Sequence, residues 1–130
     1  MILLDTHVVV WMASGDPRLS GKAQDAIHNA RKSERGLAIS DITLFELSLL
    51  FRKRRFELAV DPGSFLSEVE RRFVVLPITA NIALQAFDLP QGYPNDPVDR
   101  MIGATALVQD LPLITADKEI RNSGAVPTIW

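Results

Sequence analysis

A chain of 130 residues with 47% hydrophobic and 23% charged residues is sized and balanced for one globular domain with its own core. It has no cysteine, which excludes disulfide frameworks, thiolate nucleophiles and thiolate-bound zinc. A formal net charge of −2 argues against a simple electrostatic nucleic-acid binder.

The start, Met1-Ile2-Leu3-Leu4-Asp5, has no basic region and meets an acid at once, so it does not read as a signal peptide. The longest apolar run, Val8 to Ala13, is far short of a membrane span. The expectation is a soluble cytoplasmic protein with no membrane partner. Ile2-Leu3-Leu4 reads as a buried strand and Val8 to Met12 as a short helix after it. Ser20 suits an N-cap for a helix to about Arg35, with Ala23, Ile27 and Ala30 on one face. Leu37-Ala38-Ile39 is a second strand, followed by a helix from Ile42 to Lys53. Pro62 opens another helix, with Phe65, Leu66 and Val69 inward. Phe73 to Ile78 is a third strand, Ala80 to Phe87 a helix, and Pro90 to Pro94 the clearest loop. A helix from Pro97 to Asp110 precedes a fourth strand near Leu113 to Thr115, and Val126 to Trp130 supplies a fifth.

No repeat or linker divides the chain, so residues 1–130 are expected to form a single domain. Apolar strands alternating with helices predict an α/β fold, with a central parallel sheet of 4–5 strands and helices on both faces. In such sheets the ligand crevice lies beyond the C-terminal strand ends, where the strand order reverses.

Acids gather at those ends. Asp5 ends the first strand, Asp117 follows the fourth, and Glu46 and Asp99 lie about one turn inside helices, with Asp96 at a helix start. Singly, most have a second reading. Asp5, Asp96 and Asp117 suit helix N-caps, and Asp99 suits the third helical position of a capping box. Glu46 does not, because Ile42, Leu49 and Leu50 flank it at helical spacing with no base three or four residues away. An acid on an apolar stripe is costly without a partner or a metal. Asp99 shares the problem against Ile102, Gly103 and Ala106, and small Gly103, Ala104 and Ala106 would let this helix pack close to the sheet.

Carboxylates brought together raise one another's pKa values, and a divalent cation removes that cost. Oxygen ligands without cysteine or clustered histidine favour Mg2+ or Mn2+ over zinc. The chemistry indicated is metal-assisted hydrolysis of a phosphodiester. Phosphate-binding, dinucleotide-binding and nucleophile-elbow glycine motifs are absent. His7 beside Asp5 reads as facing the wrong way to orient it, and His28 as solvated. If five of the 16 acids converge, the other 11 face 14 Lys and Arg, clustered at Arg52-Lys53-Arg54-Arg55 and Arg71-Arg72.

Four blocks in order resemble the PIN-domain ribonucleases, in particular the VapC-type toxins of toxin–antitoxin pairs. They are Leu3-Leu4-Asp5-Thr6-His7 with Trp11, Ser40 through Glu46-Leu47, Asp96-Pro97-Val98-Asp99-Arg100-Met101-Ile102, and Leu113-Ile114-Thr115-Ala116-Asp117. The resemblance implies an acidic quartet of Asp5, Glu46, Asp99 and Asp117. Asp5 and Asp99 would be the principal Mg2+ ligands, with Mn2+ as a substitute. Glu46 and Asp117 would complete the shell and position the nucleophile. Asp96 matches a recurrent position, and Thr6 and Thr115 would bond ligands or water.

The resemblance further implies an RNA substrate, a small antitoxin covering the site, and a homodimer. Related chains often carry lysine where this one has Leu50, and Arg52 to Arg55 are candidates to replace that contact. Trp11, Phe45 and Phe51 read as core. The competing reading is a non-catalytic RNA- or protein-binding module whose acids are caps. A receiver-like phosphoacceptor at Asp5 ranks last, for want of the paired acids and late lysine that chemistry needs.

Overall fold

Every strand of this protein is short, and the order of its elements places them in one sheet. In the computed structural model, which describes residues 1–54 and 58–130, β1 (Ile2–Leu4) is followed by α1 (Thr6–Ser14) and α2 (Gly21–Lys32). Then come β2 (Leu37–Ser40), α3 (Asp41–Arg52), α4 (Pro62–Arg72), β3 (Val74–Leu76) and α5 (Ala80–Phe87). α6 (Pro97–Val108), β4 (Leu113–Ile114), α7 (Lys118–Ser123) and β5 (Thr128–Ile129) complete the chain. The five strands form one parallel sheet in the order β3-β2-β1-β4-β5. This is the expected architecture.

Alternation along the strands sends side chains to opposite faces. Leu4, Ile39 and Ile114 face a core completed by Val8, Ile27, Leu47 and Phe65 from α1 to α4. Leu3, Ala38 and Leu113 face a second core with Tyr93, Ile102 and Ile120. α5 packs on α6 through Ile82, Ala86 and Ala104. Among the described residues, no helix is long and apolar enough to cross a membrane.

Several element ends differ from expectation. α1 starts at Thr6 rather than Val8 because Asp5 caps it, and it stops at Gly15, whose φ of 65° is left-handed. α2 ends at Lys32, short of Arg35, where Glu34 and Gly36 take positive φ and turn the chain into β2. α6 likewise ends at Val108, two residues early, before Asp110 at φ 54°. Phe73 serves as the C-cap of α4 and Pro77 offers no N–H, so β3 keeps only Val74–Leu76.

The role expected of Gly103 is corrected. Its missing side chain makes room for Tyr93, not for the sheet: a Cβ there would lie 2.2 Å from the Tyr93 hydroxyl and 2.5 Å from Cζ. Tyr93 is 2% exposed, so the loop expected at Pro90 to Pro94 is anchored in the core. Gly103→Ala is therefore expected to cost about 1–3 kcal/mol by overpacking, read as a lower thermal midpoint. Tyr93→Phe should not restore it, because Cζ still clashes. An unchanged midpoint for Gly103→Ala would show that the helix has room to spare.

Candidate active site

From β1 the chain builds β2 and β3 on one side, then returns to place β4 and β5 on the other. The order reverses between β1 and β4, and the crevice of such a sheet opens there. Leu4 pairs with Ile114, and the Asp5 N–H donates to the Ile114 carbonyl at 3.0 Å. Asp5 and Thr115 thus leave the sheet side by side.

Asp5 is 3% exposed. Its Oδ1 accepts the Thr6 N–H at 2.9 Å, and its Oδ2 accepts the Thr115 hydroxyl at 2.7 Å. The Thr115 oxygen in turn accepts the Asp117 N–H at 3.1 Å. His7 faces the same carboxylate, with Nδ1 3.6 Å from Oδ2. Its Nε2 accepts the Ala116 N–H at 3.1 Å. The expectation that His7 points away from Asp5 is therefore corrected. Because α1 begins at Thr6, His7 lies in the first turn and reaches back to the end of β4.

Glu46, on α3, is half-buried. Burial pushes its carboxyl above the ordinary range, a hydrogen bond from Thr6 opposes the shift, and the charges of Asp5 and Asp96 add to it. The Thr6 and Thr43 hydroxyls lie 3.1 Å apart, both buried. Asp99 is shifted further, to about 7, first by burial and then by the charges of Asp5, Asp96, Glu46 and Asp117. All five acids therefore share one field. The Thr6 N–H and the Thr115 hydroxyl hold the Asp5 carboxylate in place.

The capping readings hold as well. Asp5, Asp96 and Asp117 are the N-caps of α1, α6 and α7. Asp96 Oδ1 accepts the Asp99 N–H at 3.0 Å, and Asp117 Oδ1 accepts the Glu119 and Ile120 N–H groups at 2.8 and 3.1 Å. In Asp96 and Asp117 these capping bonds are made by Oδ1.

Two supporting residues escaped the sequence reading. The Tyr93 hydroxyl donates to the Asp99 carbonyl at 2.9 Å, and burial with the nearby acids pushes its pKa upward. Arg100 is spread over the carbonyls of Ala86, Phe87, Leu89 and Pro94. Tyrosine in a Pro-flanked loop was the only sequence signal for the first, and nothing marked the second.

Around the site, Arg52, Lys53 and Arg54 are exposed at the end of α3, whereas Arg55 lies outside the described residues. Phe45, expected in the core, is 56% exposed, because α3 turns its neighbour Leu47 inward instead. Trp11 and Phe51 pack against the core as expected, and His28 is exposed.

Among the described residues, no three His, Cys, Asp or Glu side chains enclose an ion by themselves. The donor set nonetheless fits a hard divalent cation: oxygen ligands only, with Asp99 raised by burial and by the neighbouring acids. Mg2+ suits such an open set, because it keeps several waters and takes few carboxylates.

Comparison with known proteins bears on this geometry. The PIN domain family matches residues 2–125. Ribonuclease VapC22 of Mycobacterium tuberculosis (strain ATCC 25618 / H37Rv) is 36% identical over 121 residues, which span 93% of this chain and 90% of that protein. A toxin–antitoxin complex from Klebsiella pneumoniae has a chain that superposes with a TM-score of 0.68 at 25% identity, covering 97% of this chain and 95% of that one. VapBC2 from Rickettsia felis, bound to a DNA fragment from their promoter, shares the fold at a TM-score of 0.73 and 19% identity, covering 98% and 97%. This chain belongs to the PIN-domain family and, within it, to the VapC type.

Proposed function

We propose that this protein is a Mg2+- or Mn2+-dependent endoribonuclease acting as the toxin of a toxin–antitoxin pair. The observation that carries the proposal is the convergence of Asp5, Glu46, Asp96, Asp99 and Asp117 at the switch point, where burial and then the charges of the other four push Asp99 to about 7. The similarity to a ribonuclease over nearly the whole chain supports the substrate class. When bound, a divalent cation supplies charge neutralisation and Lewis-acid activation of water toward a phosphodiester. Asp5 and Asp99 would hold it, with Glu46 and Asp117 completing the shell directly or through water and orienting the nucleophile.

Asp5 is suited to the first task because Thr6 and Thr115 fix both of its oxygens. Glu46, its carboxyl raised above the ordinary range by burial, is suited to orient the nucleophile from α3. Arg52 to Arg54 lie along α3 beyond Glu46, Arg52 about 9 Å further at the helical rise. They are candidates to contact a phosphate beside the reacting one, which would add affinity without sequence selectivity. That would replace the lysine absent at Leu50.

An antitoxin partner is supported by the toxin–antitoxin complex among the structural relatives. A groove of about 710 Å³ lies between α1, α2 and α4, lined by Trp11, Met12, Leu19, Val60 and Phe65 among others. Its apolar floor and charged rim, with Asp16, Arg31 and Arg72, suit an amphipathic partner helix. α1 runs from the acids to this groove, about 13 Å at nine residues, so one partner segment can occupy both. A homodimer is supported by α5, where Leu84 and Phe87 are 62% and 82% exposed on one face.

The central test is Asp5→Asn or Asp99→Asn, each expected to abolish metal-dependent cleavage of a mixed tRNA and rRNA pool while remaining folded. Full activity in a folded Asp99→Asn protein would refute the assignment. No cleavage by the metal-loaded parent, with RNA binding retained in EDTA, would favour the non-catalytic module. The same substitution carries a pH signature in metal-free protein. Because folding raises the Asp99 pKa from 3.8 to about 7, the folded state holds the extra proton between those values, and stability falls as pH rises across them. Asp99→Asn should therefore be more stable than the parent at pH 8 in EDTA, with the advantage vanishing below about pH 4.

Val60→Glu should weaken antitoxin binding at least about tenfold, measured by calorimetry, and leave RNA cleavage intact. Equal affinity would place the partner elsewhere. Phe87→Glu should convert a dimer to monomers in light scattering, and a dimer that persists would exclude the α5 face.

A further inference from the structure

His7 is absent from the acidic quartet, yet its ring joins the site, one nitrogen by a hydrogen bond and the other facing Asp5. Nε2 accepts the Ala116 N–H at 3.1 Å, and Nδ1, on the other side of the ring, faces Asp5 Oδ2 at 3.6 Å. The ring packs against Trp11, with centroids 5.0 Å apart. Trp11 is itself set between Trp130, at 5.7 Å, and the Arg18 guanidinium, at 4.7 Å. The imidazole thus has a fixed plane as well as fixed partners.

Ala116 sits between Thr115 and Asp117, where the chain turns from β4 into α7. The Thr115 hydroxyl already links this turn to Asp5, but one hydroxyl is a pivot. His7 adds a second attachment one residue further on, and two attachments fix orientation as well as distance. The circuit runs from Asp5 through Thr115, Ala116 and His7 back to Asp5, across the gap between β1 and β4.

We propose that His7 is a positioning residue, which stands against the Asp5 carboxylate, bonds the Ala116 amide and so holds the turn carrying Asp117 beside Asp5. The inference rests on reading the acids as a cation site, since the purpose of the arrangement is to keep two of them in register. Side chains that orient metal ligands from behind commonly change affinity about 10–100-fold when removed.

The test compares His7→Phe, which keeps a ring against Trp11 without nitrogens, with His7→Gln, whose amide oxygen reaches the Nε2 position. In metal-free protein, His7→Phe should speed Ala116 amide exchange, followed by NMR, at least about tenfold, with Leu113 and Val9 unchanged, and His7→Gln should restore protection. Calorimetry with Mn2+ alone should show affinity about 10–100-fold weaker in His7→Phe and near the parent value in His7→Gln. Should His7→Phe fail to fold, His7→Asn, which reaches only the Nδ1 position, takes its place. Unchanged Ala116 exchange, or Mn2+ affinity that does not follow the Nε2 acceptor, would overturn the proposal. A parent that binds no Mn2+ would instead overturn the cation reading, and Ala116 exchange would still decide whether His7 holds the turn.

Discussion

A carboxylate as deeply buried as that of Asp5 is tolerated only where hydrogen bonds replace water, and the architecture of the switch point supplies them. One donor is the first N–H of α1 and the other is the hydroxyl at the end of β4. That requirement ties three elements together. α1 must begin at Thr6, and β4 must pair with β1 in the register that brings Thr115 alongside Asp5. A slip of one residue in β4 would send Thr115 to the opposite face. The fold and the site are therefore held by one constraint.

Burying acids beside Asp5, and then crowding their charges together, costs free energy, as the upward shifts of Glu46 and Asp99 record. The fold offsets part of that cost without any bound ion. α1, α6 and α7 all start at the site, each capped by one of its acids. Helix N-termini carry partial positive charge, favourable to anions within the first turn. Capping and site roles are thus not rivals: a carboxylate has two oxygens, and the helix end that takes one also steadies the other.

Asp99 depends on a different kind of support. Its backbone is fixed by the Tyr93 hydroxyl, and the next residue, Arg100, clamps the carbonyls of the preceding loop and the end of α5. Gly103 leaves the space that Tyr93 fills. The position of the acid is thus set by groups that carry no chemistry themselves, leaving its side chain to the site.

By itself, the sequence determined the α/β class, the parallel sheet and the acids at its strand ends, because strand and helix periodicities and N-cap chemistry are local. Glu46 was legible for the same reason: an acid flanked by Ile42, Leu49 and Leu50 on one stripe needs an explanation. His7, Tyr93 and Thr115 were not legible in their roles. Their partners lie at Ala116, Asp99 and Asp5, and which strands become neighbours is settled only when the sheet closes. Helix ends shifted where Glu34 or Asp110 took positive φ, and Phe45 was left exposed, since local patterning does not say which flank of a helix another element covers. Tertiary structure decided those points because hydrogen bonds between distant residues and the allocation of helix faces depend on packing, which no window of the sequence contains.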